Sequence, residues 1–148
     1  MIYILIVAII VFGETKIKKY MEEQKEFGNK EEILNGKIII NKHHNSGMFL
    51  NYLEDKKELV LTATSIILGC LLLLFAIMLP KKGNKLFKLG LSFLLGGAIS
   101  NVTDRMKKGC VIDYFSFSML KNVVFNLADI CIFLGSAMIA ISSLFKKK

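Results

Sequence analysis

Three long apolar runs dominate the pattern of the chain and predict membrane-spanning helices. They cover residues 59–79, 86–103 and 123–145, and each approaches or exceeds the roughly 20 residues that a helix needs to cross a bilayer. Residues 59–79 carry no charge and are followed by Pro80, the only proline. A fourth apolar run, residues 1–12, would reach only about 18 Å as a helix. Because it lacks a basic N-terminal region and a small-residue cleavage site, we interpret it as a short first span and not as a signal peptide; a missing upstream stretch is the equal alternative.

The polar residues after the first run predict a small β-element. The stretch "GKIIINKHHNSG", residues 36–47, combines a β-branched run with turn-forming residues on both sides, which is typical of a strand that ends in a turn. His43 and His44 are adjacent in it, and neighbouring side chains of a strand point to opposite faces. No cysteine or acidic residue recurs nearby at ligand spacing. We therefore favour solvent-facing histidines over a metal site, and we expect no metal and no cofactor.

The composition assigns the chain to the integral membrane proteins. Its 148 residues are 53% hydrophobic and their mean hydropathy is +0.51, which indicates one membrane domain, residues 1–148. The predicted fold class is a mainly α membrane protein with four transmembrane helices and a small extracytoplasmic β-element. The net charge of +8 lies in loops and at the end of the chain. This distribution favours contact with anionic lipid, and we expect no nucleic-acid partner.

The lysines of the short connections predict the orientation. The loop of residues 80–88 contains four lysines and the chain ends in "KKK", and such residues mark the cytoplasmic side. With four spans, residues 13–58 and 104–122 would then form the outer segments.

Two aspartates, Asp113 and Asp129, stand in strongly apolar surroundings. Asp113 lies in "CVIDYFSF" and Asp129 in "VFNLADICIFLG", which overlaps the last predicted span. An ionised carboxylate is costly to bury, so an aspartate in such a place indicates function. Two carboxylates that meet in a partly dry site share a proton, and such a pair can activate water and protonate a leaving amine.

Helical spacing brings other polar residues to the same membrane face. Asn126 lies three residues before Asp129, and Gly97, Asn101 and Asp104 form a similar stripe on the preceding predicted helix. Small residues four apart in each helix would allow close approach of the two helices; these are Gly96 and Ser100, and Ser136 and Ala140. A structural interpretation also exists for some of these polar residues: an ion pair between Asp104 and Arg105, and a helix-packing hydrogen bond for Asn126.

The segments 101–117, "NVTDRMKKGCVIDYFSF", and 125–135, "FNLADICIFLG", resemble the bacterial lipoprotein signal peptidases, or signal peptidase II. They match the family's Asn-x-x-Asp-Arg, Gly-x-Val-x-Asp and Phe-Asn-x-Ala-Asp patterns. The resemblance implies that Asp113 and Asp129 are the catalytic aspartates. It also implies a set of residues that bind substrate or support the site, namely Asn45, Gly47, Asn101, Asp104, Arg105 and Asn126.

The resemblance also implies an activity and its surroundings. The family members are metal-free intramembrane aspartyl endopeptidases of the bacterial cytoplasmic membrane, with the active site toward the extracytoplasmic face. They remove the signal peptide from prolipoproteins whose cysteine already bears diacylglycerol. The expected partners are therefore such a precursor and membrane lipid, and we expect a monomer.

Departures from the family patterns identify a divergent member. In "FGETK", Phe12 and Gly13 stand at the acid and amide of the family's Asp-Gln-x-Ser/Thr-Lys, whereas Thr15 and Lys16 match. In "NSGMFL" the residues after Gly47 differ from the usual Gly-Ala-Ala-Phe pattern, and Ser100 replaces a common glycine. These changes leave two alternatives to the peptidase: a non-cleaving paralogue that binds lipoprotein precursors or lipid, and a small transport or structural subunit.

Overall fold

The described part of the chain combines four α-helices with a small antiparallel sheet. A computed structural model describes residues 1–47, 52–120 and 123–145 of the protein. Its elements in chain order are α1 (Ile2–Gln24), β1 (Glu31–Ile33), β2 (Ile38–Asn45), α2 (Lys57–Met78), α3 (Lys85–Lys108), β3 (Val111–Phe117) and α4 (Leu127–Leu144). In this described part, α2 with the turn before it, α3 and α4 are long and apolar enough to cross a membrane. The predicted mainly α membrane fold and its β-element are confirmed.

Helix α1 is longer than the predicted 12-residue span. It has 23 residues, because the isolated Gly13 is tolerated inside a helix and no proline occurs before its end at Gln24. Its second half carries Glu14, Lys18 and Met21 at spacings of four and three, so these side chains share one face, and that face is buried. The helix thus continues into residues that were predicted to lie in the first outer segment, and the membrane boundary at residue 13 stays a prediction.

Helix α3 lies at the centre of the helical layer and packs against α1, α2 and α4. Its contact with α4 depends on glycine: a Cβ on Gly97 would lie 2.4 Å from the Ala128 carbonyl oxygen, and one on Gly135 would lie 2.5 Å from the Gly90 carbonyl oxygen. Such distances leave no room for a side chain. The predicted close approach of the two helices is confirmed.

The residues predicted to make that approach are not the ones that make it. Gly96 faces Ile10 of α1, where a Cβ would lie 3.0 Å from the isoleucine side chain. Ser136 and Ala140 are exposed on α4. The prediction placed these residues one helical position away from the true contact face, because spacing alone does not identify which side of a helix meets which neighbour.

The three strands form one sheet in the order β1-β2-β3, with antiparallel pairing throughout. An irregularity between Ile40 and His43 interrupts the β2–β3 register, beyond which His43 pairs with Asp113. Below the sheet, Met21, Ile112 and Tyr114 form a small apolar core. The sheet thus fixes Asp113 beside β2, the strand that carries Asn45.

The two histidines of β2 have different surroundings. His43 is exposed, whereas His44 is partly buried, with Nε2 3.0 Å from Glu22 Oε2. No group of three or more His, Cys, Asp or Glu side chains within residues 1–47, 52–120 and 123–145 is placed to hold a metal ion.

Candidate active site

Asp113 and Asp129 meet at one cavity of about 320 Å³ between the sheet and the helices. Asp113 comes from the middle of β3 and is 2% exposed, and Asp129 stands in the first turn of α4. Asn45, Asn101 and Arg105 also line the cavity. Apolar side chains complete its wall: Val111, Val124, Phe125, Ile132 and Phe133. Five of the eight predicted site residues therefore share one cavity.

Asn126 forms hydrogen bonds with both aspartates. It is fully buried and begins α4 with a capping box, in which its Oδ1 accepts from the Asp129 backbone N–H at 2.9 Å. The Asn126 backbone N–H in turn donates to Asp129 Oδ2 at 3.1 Å. Its remaining side-chain group, Nδ2, donates to Asp113 Oδ1 at 2.6 Å. One asparagine thus orients both carboxylates.

Two further asparagines each contact one aspartate. Asn101 of α3 donates from Nδ2 to Asp129 Oδ1 at 2.9 Å. Asn45, at the end of β2, donates from Nδ2 to Asp113 Oδ2 at 3.1 Å and accepts from the Gly47 N–H with Oδ1 at 3.1 Å. Each carboxylate therefore accepts hydrogen bonds on both oxygens, which fixes its orientation.

Arg105 ties α3 to the turn after β2. Its Nη2 donates to the Gly47 carbonyl oxygen at 2.8 Å, and its Nη1 lies 3.5 Å from the Asn101 carbonyl oxygen. The predicted ion pair of Asp104 with Arg105 is wrong, since Asp104 Oδ2 lies 2.8 Å from Lys18 Nζ instead. Adjacent helical side chains diverge by about 100°, so Asp104 faces α1 and Arg105 faces the cavity.

A buried acid–lysine pair on α1 was missed by the sequence analysis. Glu14 is fully buried and Lys18 is 2% exposed, with Lys18 Nζ 3.6 Å from Glu14 Oε1. Phe12, by contrast, is 64% exposed, and Thr15 and Lys16 are exposed too. The acid and lysine of the family's Asp-Gln-x-Ser/Thr-Lys pattern are four residues apart, and Glu14 with Lys18 has this spacing. A buried acid and lysine with this spacing are therefore present, with Ile17 at the Ser/Thr position, and the predicted register on Thr15 and Lys16 stays a prediction.

Glu14 also connects the segments that carry the two aspartates. Its Oε2 accepts from the hydroxyl of Tyr114 at 2.9 Å, and its Oε1 accepts from the Ala128 N–H at 3.3 Å. Tyr114 follows Asp113 and Ala128 precedes Asp129. The Tyr114 oxygen accepts from the Leu127 N–H at 3.0 Å. Burial raises the pKa of Tyr114, so the phenol remains a donor.

The surroundings of Asp113 favour its neutral form. Burial and the charge of Asp129 raise the pKa of Asp113 from 3.8 to about 7, against the opposing hydrogen bonds from Asn45 and Asn126 and the charge of Lys18. Asp129 lies at the amino end of α4, where the helix dipole favours an anion. The site can therefore hold one proton between two carboxylates near neutral pH.

An apolar groove of about 330 Å³ adjoins the cavity between α2, α3 and α4. Thr64, Ile67 and Leu71 of α2 line one side of it. Asn101 and Arg105 border both spaces. A polar site with two aspartates is thus continuous with a space suited to hydrocarbon.

Comparison with known protein families decides between the alternatives. The family described as Signal peptidase (SPase) II matches residues 5–145. The chain belongs to the signal peptidase II family. It is therefore an aspartic-type peptidase of the bacterial cell membrane that cleaves prolipoprotein signal peptides.

Individual signal peptidase II relatives agree over nearly the full chain. The lipoprotein signal peptidase of Brevibacillus brevis is 30% identical over 134 residues, which cover 90% of this chain and 88% of the relative. That of Lactiplantibacillus plantarum is 27% identical over 146 residues, covering 97% and 94%. A solved structure described as a bacterial membrane enzyme superimposes with a TM-score of 0.85 at 25% identity, covering 99% of this chain and 91% of that one.

Of the positions at which this sequence departs from the usual family patterns, Ser100 is described by the structure and residues 48–50 are not. Ser100 replaces a common glycine, and its hydroxyl accepts from Lys18 Nζ at 3.2 Å. Met48, Phe49 and Leu50 lie outside the described residues, as do the three final lysines.

Proposed function

We propose that Asp113 and Asp129 are the catalytic pair of this signal peptidase II. The observation that carries the proposal is the position of Asn126, which donates to Asp113 from its side chain and to Asp129 from its backbone. A single buried residue thereby holds the two carboxylates at a fixed separation. Fixed geometry of this kind is what a pair needs to act on one peptide bond.

The two aspartates have different roles in the proposed mechanism. Asp129, ionised at the amino end of α4, accepts a proton from a water molecule that attacks the scissile carbonyl carbon. Asp113, whose pKa is about 7, donates its proton to the carbonyl oxygen as the tetrahedral intermediate forms. When the carbon–nitrogen bond breaks, the proton on Asp129 passes to the leaving amine. Asp113 recovers its proton from the collapsing intermediate, so the pair returns to its starting state.

The remaining site residues support this chemistry. Asn101 donates to Asp129 and Asn45 donates to Asp113, each at the carboxylate oxygen that Asn126 does not contact. Arg105 fixes the turn at Gly47. Asp104 does not line the cavity and pairs with Lys18, which makes it a supporting residue.

The substrate would occupy both spaces. The polar cavity accommodates the peptide bond, and the adjoining groove accommodates apolar parts of a precursor whose cysteine bears diacylglycerol. Such a substrate is itself anchored in lipid, so the site must open to the membrane and to a limited supply of water.

The membrane arrangement follows from the same placement. Helix α1, at 23 residues, would be about 34 Å long and able to span the hydrocarbon core as a fourth transmembrane helix. Its early apolar side chains Ile2, Leu5, Ile9 and Phe12 are exposed and would face lipid. The lysines between α2 and α3 would face the cytoplasm, which puts the sheet and the aspartates on the outer side. We expect the enzyme to act as a monomer without nucleic acid.

Cleavage by aspartate variants tests the proposal. Asp113→Asn and Asp129→Asn should each abolish turnover of a diacylglyceryl-modified precursor, because an amide cannot exchange the proton. The double variant should lose little more than either single one, since residues that act as a unit are strongly non-additive. Asp104→Asn should retain measurable turnover, and a chelator should change nothing. Independent, additive losses would contradict a shared-proton mechanism.

A further inference from the structure

The ammonium group of Lys18 is buried beside the site, and no step of the mechanism uses it. We propose that Lys18 is a positioning residue that fixes the side-chain amide of Asn101 so that its Nδ2 faces Asp129. The inference rests on the proposed function, because it assigns the support of that same catalytic pair. Lys18 does not line the cavity, so it acts through Asn101.

The hydrogen bonds of Asn101 permit only one orientation of its amide. Its Oδ1 accepts from Lys18 Nζ at 2.9 Å and from Asn126 Nδ2 at 3.3 Å, and its Nδ2 donates to Asp129 Oδ1 at 2.9 Å. A flipped amide would place an NH₂ group against the ammonium and an oxygen against the carboxylate. Both contacts would be repulsive in a site of low polarity. The charge of Lys18 therefore determines which Asn101 atom meets Asp129.

Lys18 itself has no freedom to move away. It is 2% exposed, and its ammonium lies 2.8 Å from Asp104 Oδ2, 3.6 Å from Glu14 Oε1 and 3.2 Å from the Ser100 hydroxyl. Two carboxylates from two helices thus compensate the buried charge, which would otherwise be costly. Ser100 supplies an additional acceptor that a glycine would not have.

The same charge reaches both aspartates. The charged and titratable groups of the site are Lys18 and Glu14 on α1, Asp104 and Arg105 on α3, Asp113 and Tyr114 on β3, and Asp129 on α4, and the charge of Lys18 acts on Glu14, Asp104, Asp113 and Asp129. Among these groups Lys18 and Arg105 are the cations, and the charge of Lys18 lowers the pKa of Asp113. Loss of that charge should raise this pKa and delay the ionisation of Asp113 as the pH increases.

Steady-state cleavage by Lys18→Met tests the proposal. We expect kcat to fall at least about tenfold, because a misplacement of about 1 Å in a catalytic site can cost about 100-fold, while KM stays within about twofold. We also expect the alkaline limb of the kcat profile to move to higher pH. Lys16→Met is the matched control, since Lys16 is exposed on the same helix, and it should behave like the wild type.

A second variant separates positioning from folding. Lys18→Met combined with Asp104→Asn removes both members of the 2.8 Å pair and leaves no unpaired Asp104 carboxylate. This variant should remain folded and still show the reduced kcat, compared with Asp104→Asn alone. Loss of folded protein in both Lys18 variants would assign Lys18 to fold stability alone and overturn the proposal.

A double-mutant cycle with Asn101→Ala tests whether Lys18 acts through Asn101. In that background Lys18→Met should lower kcat by less than about threefold, because the group that it positions is already absent. An equal decrease in both backgrounds, or an unchanged kcat of Lys18→Met, would overturn the proposal. Its failure is distinct from failure of the proposed function, which would appear as undiminished cleavage by Asp129→Asn.

Discussion

Asparagines perform most of the orientation at the proposed catalytic pair. Asn45, Asn101 and Asn126 each use Nδ2 to hold a carboxylate oxygen, and each has its Oδ1 occupied by another donor. A side-chain amide offers an acceptor and donors in a fixed arrangement, so an occupied Oδ1 dictates where Nδ2 points. Among the described residues, neutral amide donors thereby orient the two carboxylates, without a cation in direct contact.

The pKa of Asp113 gives the first prediction. A pair that works with one shared proton loses it once Asp113 ionises, so kcat should fall as the pH rises through about 7 and beyond. Asn45→Ala removes a hydrogen bond that favours the ionised form of Asp113. The pKa of Asp113 should therefore rise, and the alkaline limb of the kcat profile should move to higher pH. A pH series of precursor cleavage measures the alkaline limb for the wild type and for Asn45→Ala. Asn29→Ala, at an exposed position, is the control. A shift to lower pH in Asn45→Ala would contradict this electrostatic account.

Tyr114→Phe gives the second prediction at this scale. The change removes a donor to buried Glu14 and the acceptor of the Leu127 N–H, so the free energy of unfolding should fall by about 1–3 kcal/mol. Thermal denaturation in detergent measures the loss. Tyr20→Phe is the matched control, because Tyr20 is 55% exposed. Equal midpoints for the two variants would show that the Tyr114 hydroxyl contributes nothing.

The sequence could predict most of these residues but not all. Asp113, Asp129, Asn101 and Asn126 were predicted because a polar residue in an apolar run is conspicuous. Glu14 and Lys18 were missed since "ETKIKKYMEEQKE" contains many charged residues, and nothing local marks the two that are buried. Only the true length of α1 and the position of α3 beside it identify its inner face.

At the scale of elements, the contact between α3 and α4 sets the distance between Asn101 and Asp129. Gly97 stands one turn before Asn101, and Ala128 precedes Asp129, so their close contact lies next to the site. The position of the span helices was predictable from apolar length, whereas the faces of contact were not. Gly90 and Gly135 could not be assigned to a contact from spacing, because glycines also occur on exposed helix faces, as Gly69 does.

Gly97→Ala tests this contact. An added Cβ would lie 2.4 Å from the Ala128 carbonyl oxygen and would push α4 outward, so we expect a loss of about 1–3 kcal/mol in stability together with reduced cleavage. Gly69→Ala is the matched control on α2, where a Cβ meets nothing within 4 Å. Helix propensity alone would change its stability by no more than about 1 kcal/mol, in the favourable direction. Thermal midpoints of the two purified variants provide the comparison, and similar values would contradict the close contact.

At the scale of the whole molecule, the fold places an aspartate pair where the helical layer meets the sheet. The predicted β-element and three of the spans agree with the structure, and the first helix is longer than its predicted span because a charged helix continues beyond the apolar part. The length of an apolar run predicts where a chain can cross lipid, but it does not predict where the helix ends.

The proposed orientation is tested by thiol labelling in intact cells. In a variant that lacks the native cysteines, Asn29→Cys should react with a membrane-impermeant reagent, and Lys82→Cys should react only after the cells are permeabilised. Both positions are exposed, so burial does not distinguish them. The reverse labelling pattern would invert the topology.

The central claim is that the Asp113 and Asp129 carboxylates together hydrolyse the bond before a lipid-modified cysteine. Mass spectrometry of the products from one diacylglyceryl-modified precursor, incubated with purified wild-type enzyme or Asp129→Asn, tests it most directly. We predict that the wild type releases the signal peptide and a fragment that begins at the modified cysteine, and that Asp129→Asn releases neither. The same two products from Asp129→Asn at the wild-type rate would contradict the account.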